Sequence, residues 1–426
     1  MQDAQEADVK PVLILEDFDE AGFNPFKISE EVAGQKAVTE IFTELRRLRH
    51  LNPVHELDPR VHFGTQPDGT IEGVRKFVAL GHPLVQRILG TSAEFSNSTY
   101  KKTLGKMFGR SITTMDGDEH RKYRLLFQAG FTPRMMGKFR NGMVPAIVNR
   151  VIDNFAGRGS ADLVSEFALQ FPFLFVMELL ELPDELKDRF HRIAFCQTAI
   201  RYDYAHATEA GRKLGAYVRA MAEERRANPV SDHDFVHEIC NAEVEGERLP
   251  DDVVEGFFRQ LLNAAGDTSY HGFSSLMSSL LRHPDQFEAV RGDRSLVPQA
   301  IEEALRLEPP IAYLERSVFQ ETEIAGHVIR PDDIIFASIG DAGRDESVWE
   351  NPDVFDIFRP KLKNFAFGHG SHVCVGQHLA RVEMEVALNA LMDRLPNLRL
   401  DPSFPEPVVR GVTMRKPAEV RVLFDT

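Results

Sequence analysis

Apolar residues recur at three- and four-residue spacing along most of the chain, interrupted by Gly, Pro and Asp. That pattern predicts helices over roughly 37–50, 83–89, 118–128, 133–155, 162–182 and 184–226. The most sustained register runs through Val253, Phe257, Phe258, Leu261, Leu262, Ala265, Phe273, Leu276, Leu280 and Leu281, and stops at His283-Pro284. It holds one face in phase for about thirty residues, against a mean helix of about 11 to 12, which predicts a helix crossing the whole molecule. Further helices are expected up to Leu307 and over 376–394. Short β-prone runs flank Pro67-Asp68-Gly69 and predict a hairpin within 61–80; others lie in 313–337 and 408–424. Helices dominate, with a minor sheet drawn from distant segments. No repeat or long linker divides the chain, so residues 1–426 are expected to form one domain.

Composition narrows the function. With 43% hydrophobic and 27% charged residues the chain is neither disordered nor fibrous. Lys plus Arg number 50 against 65 Asp plus Glu, and the net charge of -15 disfavours nucleic acid and anionic lipid. The first 22 residues are acidic where a leader is basic, and the run Val12-Leu13-Ile14-Leu15 is too short to span a membrane, so a soluble cytoplasmic protein is expected. Three scattered cysteines, Cys196, Cys240 and Cys374, fit a reducing compartment. Phe occurs 31 times against Tyr 7 and Trp 1, which supplies apolar surface without hydrogen-bonding handles.

Cys374 stands out. In FAFGHGSHVCVGQHLA, Gly368, Gly370 and Gly376 allow close backbone approach to a flat group, and the cysteine precedes an amphipathic helix whose N-terminus is expected to lower the thiol pKa. A zinc site with His369, His372 and His378, or a plain buried thiol, are the other readings of the segment.

The pattern Phe367-x-x-Gly370-x-x-x-Cys374-x-Gly376, with His372 before and Leu379-Ala380-Arg381 after, resembles the haem-ligand loop of the cytochrome P-450 family. The resemblance implies a helix-rich triangular prism with haem b between the long central helix and the cysteine-loop helix, β structure being confined to roughly 54–82, 311–340 and 405–426. It makes Cys374 the axial thiolate of the haem iron, a ligand that favours O–O cleavage. Phe367, Gly368, Gly376, Ala264 and Ala265 would border the haem, and His120, Arg124, Arg316 and His372 would hold its propionates. Glu303 and Arg306 of Glu-Ala-Leu-Arg, with Arg359 of FDIFRP, match the family's buried structural network.

Within the central helix stands Ala264-Ala265-Gly266-Asp267-Thr268-Ser269. Thr268 can bond back to the carbonyl of Ala264, and Gly266 weakens the helix; a helix end at Gly266 capped by Asp267 is the competing reading. By resemblance, Asp267 and Thr268 are the acid–alcohol pair that delivers protons during dioxygen activation. Ala265 stands where relatives often have Gly, which would narrow the oxygen or substrate site.

The resemblance further implies hydroxylation of a hydrophobic small molecule, using O2 and electrons from a [2Fe-2S] ferredoxin with an NAD(P)H-dependent reductase. Arg121, Lys122, Arg134, Lys138, Arg140, Lys361, Lys363 and Arg381 are the candidate docking residues. The substrate pocket would draw on 98–112, 190–204, Leu261, Ala264, Ala265, Ile311 to Leu314, and Val412, Thr413 and Met414. Arg201, Tyr202, Asp203 and Tyr204 are read as a solvent-facing loop that can alternatively anchor a polar group. A non-catalytic haem-thiolate sensor and a peroxide-driven enzyme are the alternatives; the acid–alcohol pair favours the monooxygenase.

Overall fold

The computed structural model describes residues 13–27, 37–231 and 234–426; the acidic segment 1–12 noted above lies outside them. Five strands form the main sheet: β1 Val54–Glu56, β2 Lys76–Ala79, β3 Phe95–Ser96, β4 Tyr313–Val318 and β5 Ile334–Ser338, in the order β1-β2-β5-β4-β3. Its one parallel pair, β2 with β5, joins segments more than 250 residues apart, with Phe336 opposite Val78. The antiparallel pairing of β5 with β4 sets Ile335 opposite Arg316 and fixes where Glu315 and Arg316 sit.

The hairpin expected within 61–80 does not form. Asp58 caps a short helix, Pro59–His62, by accepting the Arg60 N–H at 2.9 Å, and Asp68 caps Gly69–Ile71 by accepting the Thr70 N–H at 2.9 Å. These local side-chain bonds outcompete a turn. β2 pairs instead with β1, upstream of both caps.

The helices that frame the interior are α1 Gly117–Ala129, α2 Phe171–Leu179, α3 Lys187–Gln197, α4 Tyr204–Ala227, α5 Asp251–Leu281, α6 Val297–Leu307 and α7 Gln377–Arg394. α5 is the predicted long helix and is unbroken over 31 residues. Aromatic rings close around it: Phe127 stacks on Phe257 at 3.8 Å, and Phe167 and Phe171 meet Phe273 at 5.5 and 5.4 Å. Gly266 does not end a helix; a Cβ there would lie 2.6 Å from the Phe173 ring, so glycine is required by the close approach of α2. Periodicity over 184–226 conceals a break at 198–203, where Asp203 caps α4 by accepting the His206 N–H at 3.2 Å. Among the described residues no helix is long and apolar enough to cross a membrane.

Glu303, Arg306 and Arg359 form a buried network. Arg306 donates to both Glu303 oxygens at 2.8 Å, and Arg359 Nε donates to Glu303 Oε1 at 3.3 Å. The remaining guanidinium donors serve the Pro352, Val354 and Asn351 carbonyls. The guanidinium donors are thus divided between Glu303 on α6 and carbonyls of the irregular segment between β5 and the cysteine loop.

Candidate active site

The cysteine loop is shaped by backbone bonds. Gly368 N–H donates to the Phe365 carbonyl and Cys374 N–H to the Phe367 carbonyl, both at 2.8 Å. Gly370 has φ of 74°, and a Cβ there would stand 2.5 Å from the Leu89 carbonyl oxygen, so no other residue fits. Cys374 is accessible although the chain surrounds it, because the surface it shows lines an interior cavity of about 260 Å³. Contrary to the expected lowering, burial pushes its thiol pKa up, outweighing the Gly376 N–H, Arg124 and Arg381. No group of three or more His, Cys, Asp or Glu among the described residues could hold a metal ion; His369 turns away to Lys363 at 2.9 Å, so it does not join Cys374 in a zinc site.

α5 forms the opposite wall. Ala264, Ala265, Leu261 and Thr268 face the cavity across from Phe367, Gly368, Cys374 and Gly376. Thr268 Oγ1 donates to the Ala264 carbonyl at 2.8 Å, which leaves the hydroxyl oxygen free to accept. Asp267 is largely buried, with Oδ1 3.3 Å from His271 Nδ1 and no hydrogen-bond partner among the described residues. One signal absent from the sequence reading is Glu383 on α7: it lines the same cavity and accepts the Ser269 hydroxyl at 2.8 Å.

Cationic and imidazole groups gather at one side. His120, Arg124, Arg316 and His372 all line the cavity. The His120 and His372 rings lie 3.8 Å apart, and burial together with His372 and Arg124 drives the His120 pKa down to about 3. His120 Nε2 is buried with no hydrogen-bond partner among the described residues. His372 is oriented by Asn97 at 3.0 Å and Asp116 at 3.5 Å, two residues the sequence reading missed. Burial also lowers the Arg124 and Arg316 pKa values. A thiol facing an interior cavity, one half-buried and one buried guanidinium group and an orphaned imidazole suit a planar iron macrocycle with anionic edges, a haem.

A second cavity of about 560 Å³ shares Ala264, Thr268, Ile311 and Leu314 with the first and extends over Met107, Phe108, Val164, Leu169 and Phe195. Thr413 lines it, and Leu261 faces only the smaller cavity. Val412 lines neither: it is fully buried in the cluster that holds Phe42, Leu45 and Phe336, while the next two residues, Thr413 and Met414, line the larger cavity. The 201–204 segment is likewise corrected. Tyr204 is exposed and Asp203 is the α4 cap, but Arg201 and Tyr202 face the cavity, Arg201 pairing with Asp68 and Glu315 at 2.7 Å each. Burial opposes its charge, yet the two carboxylates raise its pKa.

Cys196 and Cys240 are buried, their thiols pushed up to about 12 and about 11 by desolvation. Of the proposed docking residues, Arg121, Lys122, Arg140 and Arg381 are matched by Asp118, Glu247, Glu385 and Glu302.

A family model described as Cytochrome P450 matches residues 176–407. Pulcherriminic acid synthase of Bacillus subtilis is 31% identical, covering 75% of this chain and 82% of that protein. Cyclomarin C epoxidase CymV of Salinispora arenicola is 33% identical over 68% of this chain and 74% of its own. A Bacillus megaterium cytochrome P450 solved in complex with testosterone superposes with a TM-score of 0.78 and 25% identity, over 90% of this chain and 99% of that one. The chain belongs to the cytochrome P450 family of monooxygenases, whose cofactor is haem b.

Proposed function

We propose that the protein is a single-domain cytoplasmic monooxygenase that hydroxylates a hydrophobic small molecule held in the larger cavity, with Cys374 as the iron ligand. The observation that carries this reading is the facing pair of Cys374 and Thr268 across one cavity that opens into a mostly apolar one. Haem b with a thiolate ligand supplies reductive activation of dioxygen, one oxygen atom entering the substrate and the other leaving as water. His120, Arg124, Arg316 and His372 would pair the propionates, the first through its orphaned Nε2.

The chain's own work is positioning and proton supply. Ala264 borders both cavities with only a methyl group, which lets a substrate approach the cysteine side, while the Ala265 methyl narrows the smaller cavity. Thr268 holds its hydroxyl hydrogen on the Ala264 carbonyl and offers an oxygen lone pair to a donor in the cavity. Asp267 lines the larger cavity and stores a proton-accepting carboxylate one residue away. Glu383, bonded through Ser269, is a second proton store on the cysteine side.

Two electrons from a ferredoxin-type carrier complete the stoichiometry. Arg134, Lys138 and Lys361 support docking: they are exposed, and no ion pair engages them among the described residues. The sensor and peroxide-driven alternatives gain no support from an acid–alcohol pair set beside the cavity.

The test is a carbon-monoxide difference spectrum of the reduced protein, for which a strongly red-shifted thiolate band is expected. Cys374→Ser should abolish it. An unshifted band in the wild type removes the haem-thiolate reading.

A further inference from the structure

The wall of the larger cavity holds a buried charge that its neighbours do not satisfy. Arg60 is 2% exposed, yet its Nε and Nη1 have no hydrogen-bond partner among the described residues. Its Nη2 lies 4.0 Å from both Asp68 Oδ2 and Glu315 Oε1, outside hydrogen-bond reach. Both carboxylates lie closer to Arg201, which meets each at 2.7 Å; Thr70 donates to Asp68 Oδ1, and Thr103 donates to Glu315 at 3.3 Å. Arg201 therefore makes the close contacts with both carboxylates, and Arg60 faces them only at 4.0 Å and the Phe336 ring at 5.5 Å, with Nε and Nη1 left without a hydrogen bond among the described residues. Burying guanidinium N–H donors without acceptors is costly, and donors left in this way beside a cavity call for a ligand.

The surroundings set the ligand's charge. Among the described residues lining this cavity, Lys27, Arg60, Arg201, Arg410 and Lys416 are cationic, whereas Asp267 and Glu315 are the carboxylates. The cavity is locally positive inside a chain of net charge -15. The remaining lining is mainly apolar, with Leu104, Met107, Phe108, Leu169 and Phe195. A cation would be repelled by two guanidinium groups. A dianion such as a phosphate would be opposed by Asp68 and Glu315 beside Nη2.

We propose that the substrate is an apolar molecule bearing one carboxylate, and that Arg60 receives that carboxylate in the larger cavity. This rests on the reading that the larger cavity is the substrate site. Anchoring one end at Arg60 fixes which carbon reaches Thr268, so the anchor also sets the position oxidised.

The experiment uses the haem-loaded full chain and straight-chain fatty acids, each beside its methyl ester, with binding read by spin-state shift and by calorimetry. Acids are expected to bind at least about tenfold more tightly than their esters, the scale of one charge-assisted hydrogen bond. Arg60→Met should bring the acid-to-ester ratio to about one, and Arg60→Lys should retain part of it. Esters binding as well as acids in the wild type, or a preference that survives Arg60→Met, overturns the assignment. Should Arg60→Met fail to retain haem, the wild-type ratio and Arg60→Lys decide. A missing thiolate band with carbon monoxide would defeat the haem reading alone, since calorimetry still reports the acid preference.

Discussion

Ser269 on α5 donates to Glu383 on α7 at 2.8 Å, tying together the two helices that enclose the smaller cavity. The carboxyl is 1% exposed and its other oxygen has no partner among the described residues. Burial pushes its pKa up to about 8, with the Ser269 bond pulling the other way, so the group holds a proton at neutral pH.

That proton has a cost on the alkaline side. The unfolded carboxyl titrates near 4.5 and the folded one near 8, so the favourable contribution is complete below the first value and is lost as pH rises to the second. The slope is about 1.4 kcal/mol per pH unit. Glu383→Gln should remove it, and urea unfolding should show the variant gaining on the wild type as pH is raised. Parallel pH profiles would refute the buried-proton assignment.

The Glu303 network makes an ordered prediction. Arg306 spends donors on both Glu303 oxygens and on carbonyls that lead toward the cysteine loop, whereas Arg359 shares one Glu303 oxygen at 3.3 Å. Arg306→Ala leaves a buried carboxylate half-paired and should cost about 3 to 5 kcal/mol. Arg359→Ala should cost less, and thermal midpoints of the two variants should keep that order. Equal midpoints would mean that the network is not organised around Arg306.

Much of this was written in periodicity and in one loop. The face from Val253 to Leu281 is a genuine helix because its apolar residues never leave phase, and the loop before Cys374 depends on Gly370, which no other residue can replace. What periodicity could not reveal is partnership across the fold. Asp68 reads as part of a turn but acts as a cap. Val412 and Thr413 are adjacent in a bend between two short strands, and only its seating on the core decides which faces the cavity. Arg201, read as part of a surface loop, is drawn inward by Asp68 and Glu315, which lie 133 and 114 residues away in sequence. Local pattern carries elements; long-range charge pairing carries the pocket wall.

Glycine substitutions separate shape from chemistry in the cysteine loop. Gly370→Ala forces a left-handed backbone and a 2.5 Å contact with the Leu89 carbonyl, and should lose more than about 2 kcal/mol. Gly376→Ala meets nothing nearer than Cys374 Sγ at 3.9 Å and should fold with a loss below about 1 kcal/mol. Denaturant midpoints measure both, and a tolerated Gly370→Ala would contradict the loop geometry.

Thr268 can be tested apart from folding. Its hydroxyl is anchored on its own helix, so Thr268→Ala removes one i to i-4 bond and little packing. With a ferredoxin system and a turned-over substrate, the variant should consume NAD(P)H at a comparable rate but convert a several-fold smaller share into product, the balance leaving as hydrogen peroxide. Unchanged coupling would remove Thr268 from proton delivery.

His191 on α3 gives the opposite pH signature to Glu383. Its ring packs on Phe173 at 4.0 Å, the same ring that abuts Gly266, and its Nε2 is sealed from solvent without a partner among the described residues. Burial drives its pKa down to about 4, only partly opposed by the Asp267 carboxylate. A histidine depressed in this way contributes fully above its unfolded value of 6.5, and the contribution is lost as pH falls toward 4. Between pH 6.5 and 5 the loss should reach about 2 kcal/mol. His191→Gln cannot titrate, so its unfolding free energy should decline less steeply over that interval. If both proteins lose stability in parallel, the imidazole is not held neutral against Phe173, and Asp267 would then face a charged neighbour on the α3 side.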